Sequence, residues 1–189
     1  MVAVESQMLP LGTLAPAFSL PDPDGKMHSL EDGANAYLVM FICNHCPFVI
    51  HVREELARIG KDYSARGVSI AAINSNDIDK HPTDGPAHMK TEAETWGYVF
   101  PYLLDETQEV AKSYRAACTP DFFVFDTGKR LVYRGQLDAS RPSNGLPVDG
   151  RDLRAALDAV LGGRPPMAEQ KPSIGCNIKW RPGNEPNYF

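Results

Sequence analysis

Apolar residues in the first half of the chain fall into continuous runs separated by a stretch with helical spacing. Residues 36–43, AYLVMFIC, form an apolar run of strand length without a charged residue, which is typical of a strand buried on both faces of a sheet. Over residues 48–63 apolar positions recur every three or four residues, which predicts an amphipathic helix ending near Gly67. Because residues 68–74 form a second apolar run, the pattern predicts two parallel strands joined by a helical crossover.

The rest of the chain extends this pattern into an α/β fold. A turn rich in Pro, Asp and Gly at residues 21–25 predicts an N-terminal β-hairpin. The other predicted elements are a helix from Pro86 to about Trp96, a strand at 102–104, a short helix at 108–115, a hairpin of 121–125 and 130–133, and a helix at 151–161. We therefore expect a central sheet flanked by helices.

Length and composition indicate one domain. A chain of 189 residues with 43% hydrophobic and 23% charged residues suits a single core in an ordinary globular protein. We assign that domain to residues 1–163. Residues 164–189 are rich in proline and have little periodicity, so we expect an extended tail that packs on the same domain.

Charge and terminal sequence limit the expected partners and location. The net charge is −5, with no basic run, so neither a nucleic acid nor an anionic membrane is an expected partner. The first residues lack the pattern of a secretory signal, and no apolar run approaches the roughly 20 residues of a membrane-spanning helix. A cytoplasmic location is therefore the expectation.

The main candidate chemistry lies in FICNHCPFV at residues 41–49. Cys43 falls at the carboxyl end of the predicted strand and Cys46 in the first turn of the predicted helix. Unpaired amides and the partial positive charge of a helix N-terminus stabilise a thiolate, so we expect Cys43 to be the attacking sulfur. His45 can add a positive or hydrogen-bonding influence, and Pro47 suits the start of a helix.

Each of these residues also has a simpler interpretation. His45 can be a solvated loop histidine, and Pro47 can serve helix initiation alone. Four cysteines are too few for a disulfide scaffold in a reducing compartment. A closed zinc site needs four ligands, usually two close pairs, whereas Cys118 and Cys176 are single in the sequence.

A series of motifs gives a resemblance that covers residues 12–162. The CNHC segment resembles the thioredoxin Cys-x-x-Cys motif, with the histidine placed as in oxidising periplasmic thiol oxidases. The further motifs are APAFSL (15–20), DG (24–25), FPYLLD (100–105), TP (119–120) and DTG (126–128). In order and spacing they resemble the TlpA/ResA-like and peroxiredoxin-like branch of the thioredoxin superfamily, and PSIGCNIKW (172–180) resembles the tail of peroxiredoxin-like members.

The resemblance implies a thioredoxin-like fold with a central mixed sheet, and a thiol-disulfide oxidoreductase without cofactor or metal. The implied partners are a protein or small-molecule disulfide and a redox partner that the sequence does not identify. The family implies a cis peptide bond at Pro120, facing the dithiol, with the backbone of Thr119 pairing to substrate. A trans proline that opens the next strand is the alternative. Thioredoxins carry a buried acid on the strand before the motif. The matching position in this sequence is near Tyr37, in a run that contains no acidic residue.

Two other functions stay open. Peroxiredoxins carry Thr-x-x-Cys, so Cys46 would be the sulfur that attacks peroxide, and Cys43, Cys118 or Cys176 would resolve it. A noncatalytic binding module is disfavoured because a reactive dithiol would be a liability without a task. Cys118 and Cys176 are interpreted first as buried small residues and second as additional redox cysteines.

Polar residues between the second strand and the next helix suggest a metal site, but we interpret them as solvated capping groups. They are His81, Asp77, Asp79 and Asp84, with His51 and His88 nearby.

Overall fold

The computed structural model describes residues 3–165 and 167–188; residues 1, 2, 166 and 189 of the predicted domain and tail lie outside the described residues. In chain order the strands are β1 (Ala3–Glu5), β2 (Leu20–Pro21), β3 (Met27–His28), β4 (Ala36–Phe41), β5 (Val68–Asn74), β6 (Tyr102–Leu104), β7 (Cys118–Thr119), β8 (Asp121–Phe125), β9 (Leu131–Gly135) and β10 (Ile174–Asn177). The α-helices are α1 (Pro47–Ser64), α2 (Pro86–Trp96), α3 (Glu109–Tyr114) and α4 (Arg151–Leu161), with a 3-10 helix at Pro82–Asp84.

Strand β4 lies at the centre of a five-stranded mixed sheet with the order β6-β5-β4-β8-β9. It pairs in parallel with β5 and antiparallel with β8, and all six of its residues are buried. Successive side chains of a strand point to opposite faces, so Met40 and Phe41 belong to two different cores. Helices α1 and α4 cover the Met40 face, and α3 covers the other. The predicted central strand and helical crossover are confirmed.

Helix α1 begins beside the carboxyl end of β4. Pro47 stands in its first turn, and Cys46 is its N-cap with an extended backbone. Proline suits this position because its missing N–H would have no partner in the first turn of a helix. The four residues 43–46 therefore form the connection between the central strand and the helix that packs on it.

A smaller sheet of three strands, β1-β10-β7, brings the tail onto the body of the protein. Strand β10 pairs antiparallel with β1 and with β7, and Cys176 stands directly opposite Thr119. Gly175 packs so closely on the carbonyl group of Thr119 that an added Cβ would overlap it. Neither β1 nor β10 was predicted as a strand. No helix in the described part of the chain is long and apolar enough to span a bilayer.

Candidate active site

The two cysteines of the CNHC segment are buried beside each other at the start of α1. Cys43 is 1% exposed and Cys46 is 0% exposed. No disulfide joins any of the four cysteines, all of which lie within the described residues. The carbonyl of Cys46 accepts the amides of Val49 and Ile50 at 3.0 and 2.9 Å, so the helix is anchored at the second cysteine rather than at the first.

Thr119 lies between the two sulfurs. Its hydroxyl oxygen is 3.3 Å from Sγ of Cys43, and its carbonyl oxygen is 3.1 Å from Sγ of Cys46. The bond from Thr119 to Pro120 is cis, as the resemblance implied. The threonine is thus placed to hydrogen-bond the dithiol through both its side chain and its main chain.

Hydrogen bonds distribute the negative charge of the reduced dithiol unevenly. The pKa of Cys46 is lowered to about 5, chiefly because the Cys43 thiol hydrogen-bonds its sulfur; burial opposes this shift. Cys176, the Thr119 side chain and the Val49 amide lower the pKa of Cys46 further. The shared hydrogen bond, burial and the charge of Asp84 raise the pKa of Cys43 well above its ordinary value.

The Thr119 carbonyl is the one contact that favours a proton on Cys46, since an S–H could donate to it. Against this single acceptor, the neighbouring thiols of Cys43 and Cys176 lower the pKa of Cys46. Donors stabilise the ionised form of an acid, so we assign the thiolate to Cys46. The expectation was that amides at the start of the helix stabilise a Cys43 thiolate, but the backbone amides of Asn44 and His45 donate to Asp84 instead.

Asp84 accepts hydrogen bonds from the backbone amides that we expected to stabilise Cys43. Its Oδ1 accepts the backbone amides of Asn44 at 2.9 Å and His45 at 3.3 Å, and its Oδ2 accepts the side-chain amide of Asn76 at 2.8 Å. Burial alone would raise the pKa of Asp84, but hydrogen bonds from His45 and Asn76 outweigh it and hold that pKa below its usual value. A buried carboxylate therefore holds the CNHC loop.

This arrangement corrects the interpretation of Asp84 and Asp77 as solvated capping groups, whereas Asp79 and His88 are exposed, as that interpretation expected. Asp84 is 0% exposed, and Asp77 is also buried. The sequence carried only a weak signal, an aspartate just before a Gly-Pro helix start. Tyr102 is a second residue that sequence reasoning missed, and its hydroxyl donates to the side-chain carbonyl of Asn44 at 3.0 Å.

His45 is paired and stacked rather than solvated. Its Nδ1 lies 2.6 Å from Oδ2 of Asp84, and its ring stacks on His81 with a centroid separation of 5.0 Å. The imidazole therefore faces a carboxylate, and the positive influence that we expected on Cys43 is directed at Asp84.

Cys43, His45 and Asp84 are the one group of three metal-binding side chains among the described residues, with ligand atoms within 4.8 Å of one another. Two ligands of a tetrahedral zinc ion lie about 3.3 Å apart when each metal-ligand bond is about 2.0 Å. The 2.6 Å separation of His45 and Asp84 is that of a hydrogen bond, and Asp84 already accepts the donors described above. The geometry fits a hydrogen-bonded loop anchor better than a zinc site.

The two remaining cysteines have different surroundings although both are buried. The thiol of Cys118 donates to the carbonyl of Pro120 at 3.6 Å, and burial followed by the charge of Asp121 raises its pKa. The side chain of Cys176 instead hydrogen-bonds the sulfur of Cys46. Of the two, Cys176 is the one that joins the dithiol.

Comparison with known proteins gives relatives along most of the chain. Residues 11–134 match the AhpC/TSA family. An uncharacterized conserved protein from Geobacillus kaustophilus is 60% identical, with a TM-score of 0.94 over 97% of this chain and 98% of that chain. The thiol-disulfide oxidoreductase ResA from Geobacillus thermodenitrificans is 28% identical over 131 residues, which are 67% of this chain and 70% of ResA.

A more distant structure supports the fold. A thiol:disulfide interchange protein of the thioredoxin family from Chlorobium tepidum TLS is 21% identical, with a TM-score of 0.62 over 80% of this chain and 97% of that chain. Likeness at that identity concerns the fold alone, and the predicted thioredoxin-like fold is confirmed.

Proposed function

Because the chain belongs to the AhpC/TSA family, we propose that it is a thiol-disulfide oxidoreductase whose redox centre is the Cys43 and Cys46 pair. The observation that carries this proposal is the contact of both sulfurs with Thr119, 3.3 Å from its hydroxyl for Cys43 and 3.1 Å from its carbonyl oxygen for Cys46. Two thiols in contact at a helix N-terminus need little movement to form a disulfide, and one of them is ionised in advance. ResA, a relative over 67% of this chain, is a thiol-disulfide oxidoreductase, in agreement with this proposal.

The reduction of a disulfide by this pair takes two exchange steps. The Cys46 thiolate attacks one sulfur of the substrate disulfide, the substrate S–S bond breaks, and the leaving thiolate takes a proton. The Cys43 thiol then loses its proton, and its sulfur attacks Cys46, which releases the second substrate thiol and forms the Cys43–Cys46 disulfide. Two protein thiols are oxidised and one substrate disulfide is reduced, and a dithiol or thiol partner resets the pair by the reverse exchange.

Burial restricts the substrates that can reach the pair. Both cysteines are at most 1% exposed, so a small disulfide is the substrate class that requires the least movement of the covering residues. A protein disulfide requires a larger displacement around Thr119 and β10. We therefore propose a low-molecular-weight disulfide as the first substrate class to test.

The proposed function is tested by exchange with oxidised glutathione. Wild-type protein should form the Cys43–Cys46 disulfide and release reduced glutathione, and Cys43→Ser/Cys176→Ser should accumulate a mixed disulfide on Cys46, because neither neighbouring thiol remains to displace the bound glutathione. Cys46→Ser should accumulate none, because the sulfur that carries the charge is gone. Trapping by Cys46→Ser but not by Cys43→Ser/Cys176→Ser would reverse the assignment, and a wild-type protein that does not exchange at all would refute the function.

A hydroperoxide reductase is the second candidate, and the thiolate on Cys46 favours it. In that reaction the thiolate attacks the terminal oxygen of the hydroperoxide and the O–O bond breaks. The other oxygen takes a proton and leaves as an alcohol or water, and Cys46 becomes a sulfenic acid. The Cys43 thiol then forms the disulfide with loss of water. Consumption of hydrogen peroxide at a rate above that of glutathione disulfide, abolished in Cys46→Ser, would favour the peroxidase over the exchange enzyme.

A further inference from the structure

We propose that Cys176 is a third redox cysteine of this site, which exchanges with Cys46 so that the protein holds its disulfide either as Cys43–Cys46 or as Cys46–Cys176. The proposal rests on the proposed function, because it adds a second partner for the same sulfur. Its basis is the way in which the tail strand β10 is seated beside the start of α1.

Strand register places the Cys176 side chain on the dithiol. Cys176 and Thr119 are directly opposite in the antiparallel pair of β10 and β7, and opposite side chains in such a pair lie on the same face of the sheet. Thr119 directs its hydroxyl to Cys43. The thiol of Cys176, on the same face, reaches Cys46, to which it is hydrogen-bonded.

Cys46 is therefore the central sulfur of three. It has a thiol neighbour in its own loop, Cys43, and a second thiol neighbour in the tail, Cys176. Sulfurs in hydrogen-bond contact must approach by an ångström or two to reach the S–S length of about 2.05 Å. Either neighbour is thus in position to become the disulfide partner of Cys46.

The charge on Cys46 controls when Cys176 becomes a nucleophile. In the reduced protein, burial, followed by the hydrogen bond and the charge of Cys46, raises the pKa of Cys176 to about 12. Once Cys46 is part of a disulfide it carries no charge. Burial then remains as the main cause of the raised pKa of Cys176, and the nearby cation of Lys179 opposes it. Cys176 is therefore easier to deprotonate at the stage at which it attacks.

The exchange involves no net oxidation. Starting from the Cys43–Cys46 disulfide, Cys176 loses its proton and its sulfur attacks Sγ of Cys46. The Cys46–Cys176 bond forms as the Cys43–Cys46 bond breaks, and the electron pair and one proton go to Cys43. The product has a restored Cys43 thiol and a covalent link between the start of α1 and the tail strand.

Cys118 provides a matched control in the same small sheet. It is as buried as Cys176, but it stands opposite Asn177 and its thiol is bonded to the carbonyl of Pro120. Successive side chains of a strand point to opposite faces, so the side chain of Cys118 lies on the face opposite to that of its neighbour Thr119. A redox role that depends on position should belong to Cys176 and be absent at Cys118.

The test is disulfide mapping in protein that lacks Cys43. Cys43→Ser protein is oxidised with diamide, quenched with acid, alkylated, digested and analysed by mass spectrometry. We expect a peptide cross-linked between Cys46 and Cys176, with both thiols lost. The Cys43→Ser/Cys118→Ser protein should give the same cross-link, and Cys43→Ser/Cys176→Ser should give none. Circular dichroism confirms that each variant is folded.

The wild-type protein supplies the second measurement and separates this proposal from the proposed function. After oxidation by glutathione disulfide, a fraction of wild-type molecules should carry an alkylatable Cys43 together with the Cys46–Cys176 cross-link, and Cys176→Ser should lose that fraction. If wild-type protein exchanges with glutathione but neither protein yields the cross-link, the third cysteine is refuted and the proposed function stands. If wild-type protein does not exchange, the proposed function fails first.

Discussion

The Nδ1 atom of His45 lies 2.6 Å from Oδ2 of Asp84, a carboxylate with no exposed side-chain surface. The same carboxylate accepts the backbone amides of Asn44 and His45. The residues between the two cysteines are thus held by one acid from the 3-10 helix Pro82–Asp84. Rigid support of a reactive pair keeps its atoms in a productive geometry, which makes Asp84 a positioning residue for the dithiol.

We expect Asp84→Asn to weaken both folding and exchange. An asparagine has one carbonyl oxygen, so it cannot replace both carboxylate oxygens as acceptors, and its amide would face the donor groups of His45 or Asn76. The free energy of unfolding should fall by about 2–3 kcal/mol, since buried donors lose a charged acceptor, and exchange with oxidised glutathione should slow at least about tenfold. Urea denaturation and turnover measure the two effects.

Asp79→Asn is the control for that variant, because the Asp79 side chain is 78% exposed. Its unfolding free energy should change by less than about 0.5 kcal/mol. The readout specific to Asp84 is the pKa of Cys43: loss of the neighbouring negative charge should lower it. A variant that is destabilised but has an unchanged Cys43 titration would limit Asp84 to a structural role.

The thiolate of Cys46 should appear at acidic pH. Its pKa is about 5, so the thiolate fraction, followed by ultraviolet absorbance, should rise as the pH increases through about 5 and be constant near neutrality. In Cys43→Ala the midpoint should move to higher pH, because the largest stabilising hydrogen bond is lost. Cys118→Ser should leave the midpoint unchanged. A wild-type midpoint near that of free cysteine would contradict the assignment of the charge to Cys46.

Gly175→Ala should loosen the tail strand over the dithiol. An alanine Cβ would overlap the carbonyl group of Thr119, which is main chain and cannot rotate away. We expect a loss of about 1–3 kcal/mol in unfolding free energy and faster alkylation of Cys46 by iodoacetamide. Gly128→Ala serves as the control, since its Cβ would meet the side chain of Asp126 at 3.3 Å. Equal alkylation rates in the two variants would show that β10 does not limit access.

The buried carboxyl of Asp121 should make stability fall as the pH rises. Burial raises the pKa of Asp121 to about 7, although a hydrogen bond from Ser6 opposes this. Between about pH 4 and 7 the unfolded chain ionises Asp121 while the folded protein keeps it neutral. The folded state therefore binds more protons, and the contribution is present at low pH and is lost as the pH rises through about 7.

Asp121→Asn removes this pH dependence. The unfolding free energy of the variant relative to wild type should increase between about pH 4 and pH 8, by up to roughly 4 kcal/mol at about 1.4 kcal/mol per pKa unit. Urea denaturation across this range measures it, with Asp79→Asn as the exposed comparison. A difference that is constant across the range would mean that Asp121 does not titrate with a raised pKa in the folded protein.

The main elements of the fold follow from local pattern. The strand Tyr102–Leu104 and the helix Arg151–Leu161 were predicted with the bounds that the structure has, because continuous apolar runs and helical spacing are properties of neighbouring residues. Strands β1 and β10 were missed. Their sequences, AVE and IGCN, contain no continuous apolar run, and they exist as strands because distant segments pair.

The sequence by itself determined where the dithiol stands: a long apolar run, two cysteines and a proline-initiated helix place Cys43 and Cys46 at a strand-helix junction. Only the tertiary structure decided which sulfur carries the charge. The pKa of a buried thiol depends on donors and charges within a few ångströms, and here Asp84, Thr119 and Cys176 come from three separate elements. No local pattern encodes their convergence, because it results from the packing of the 3-10 helix, β7 and the tail around one loop.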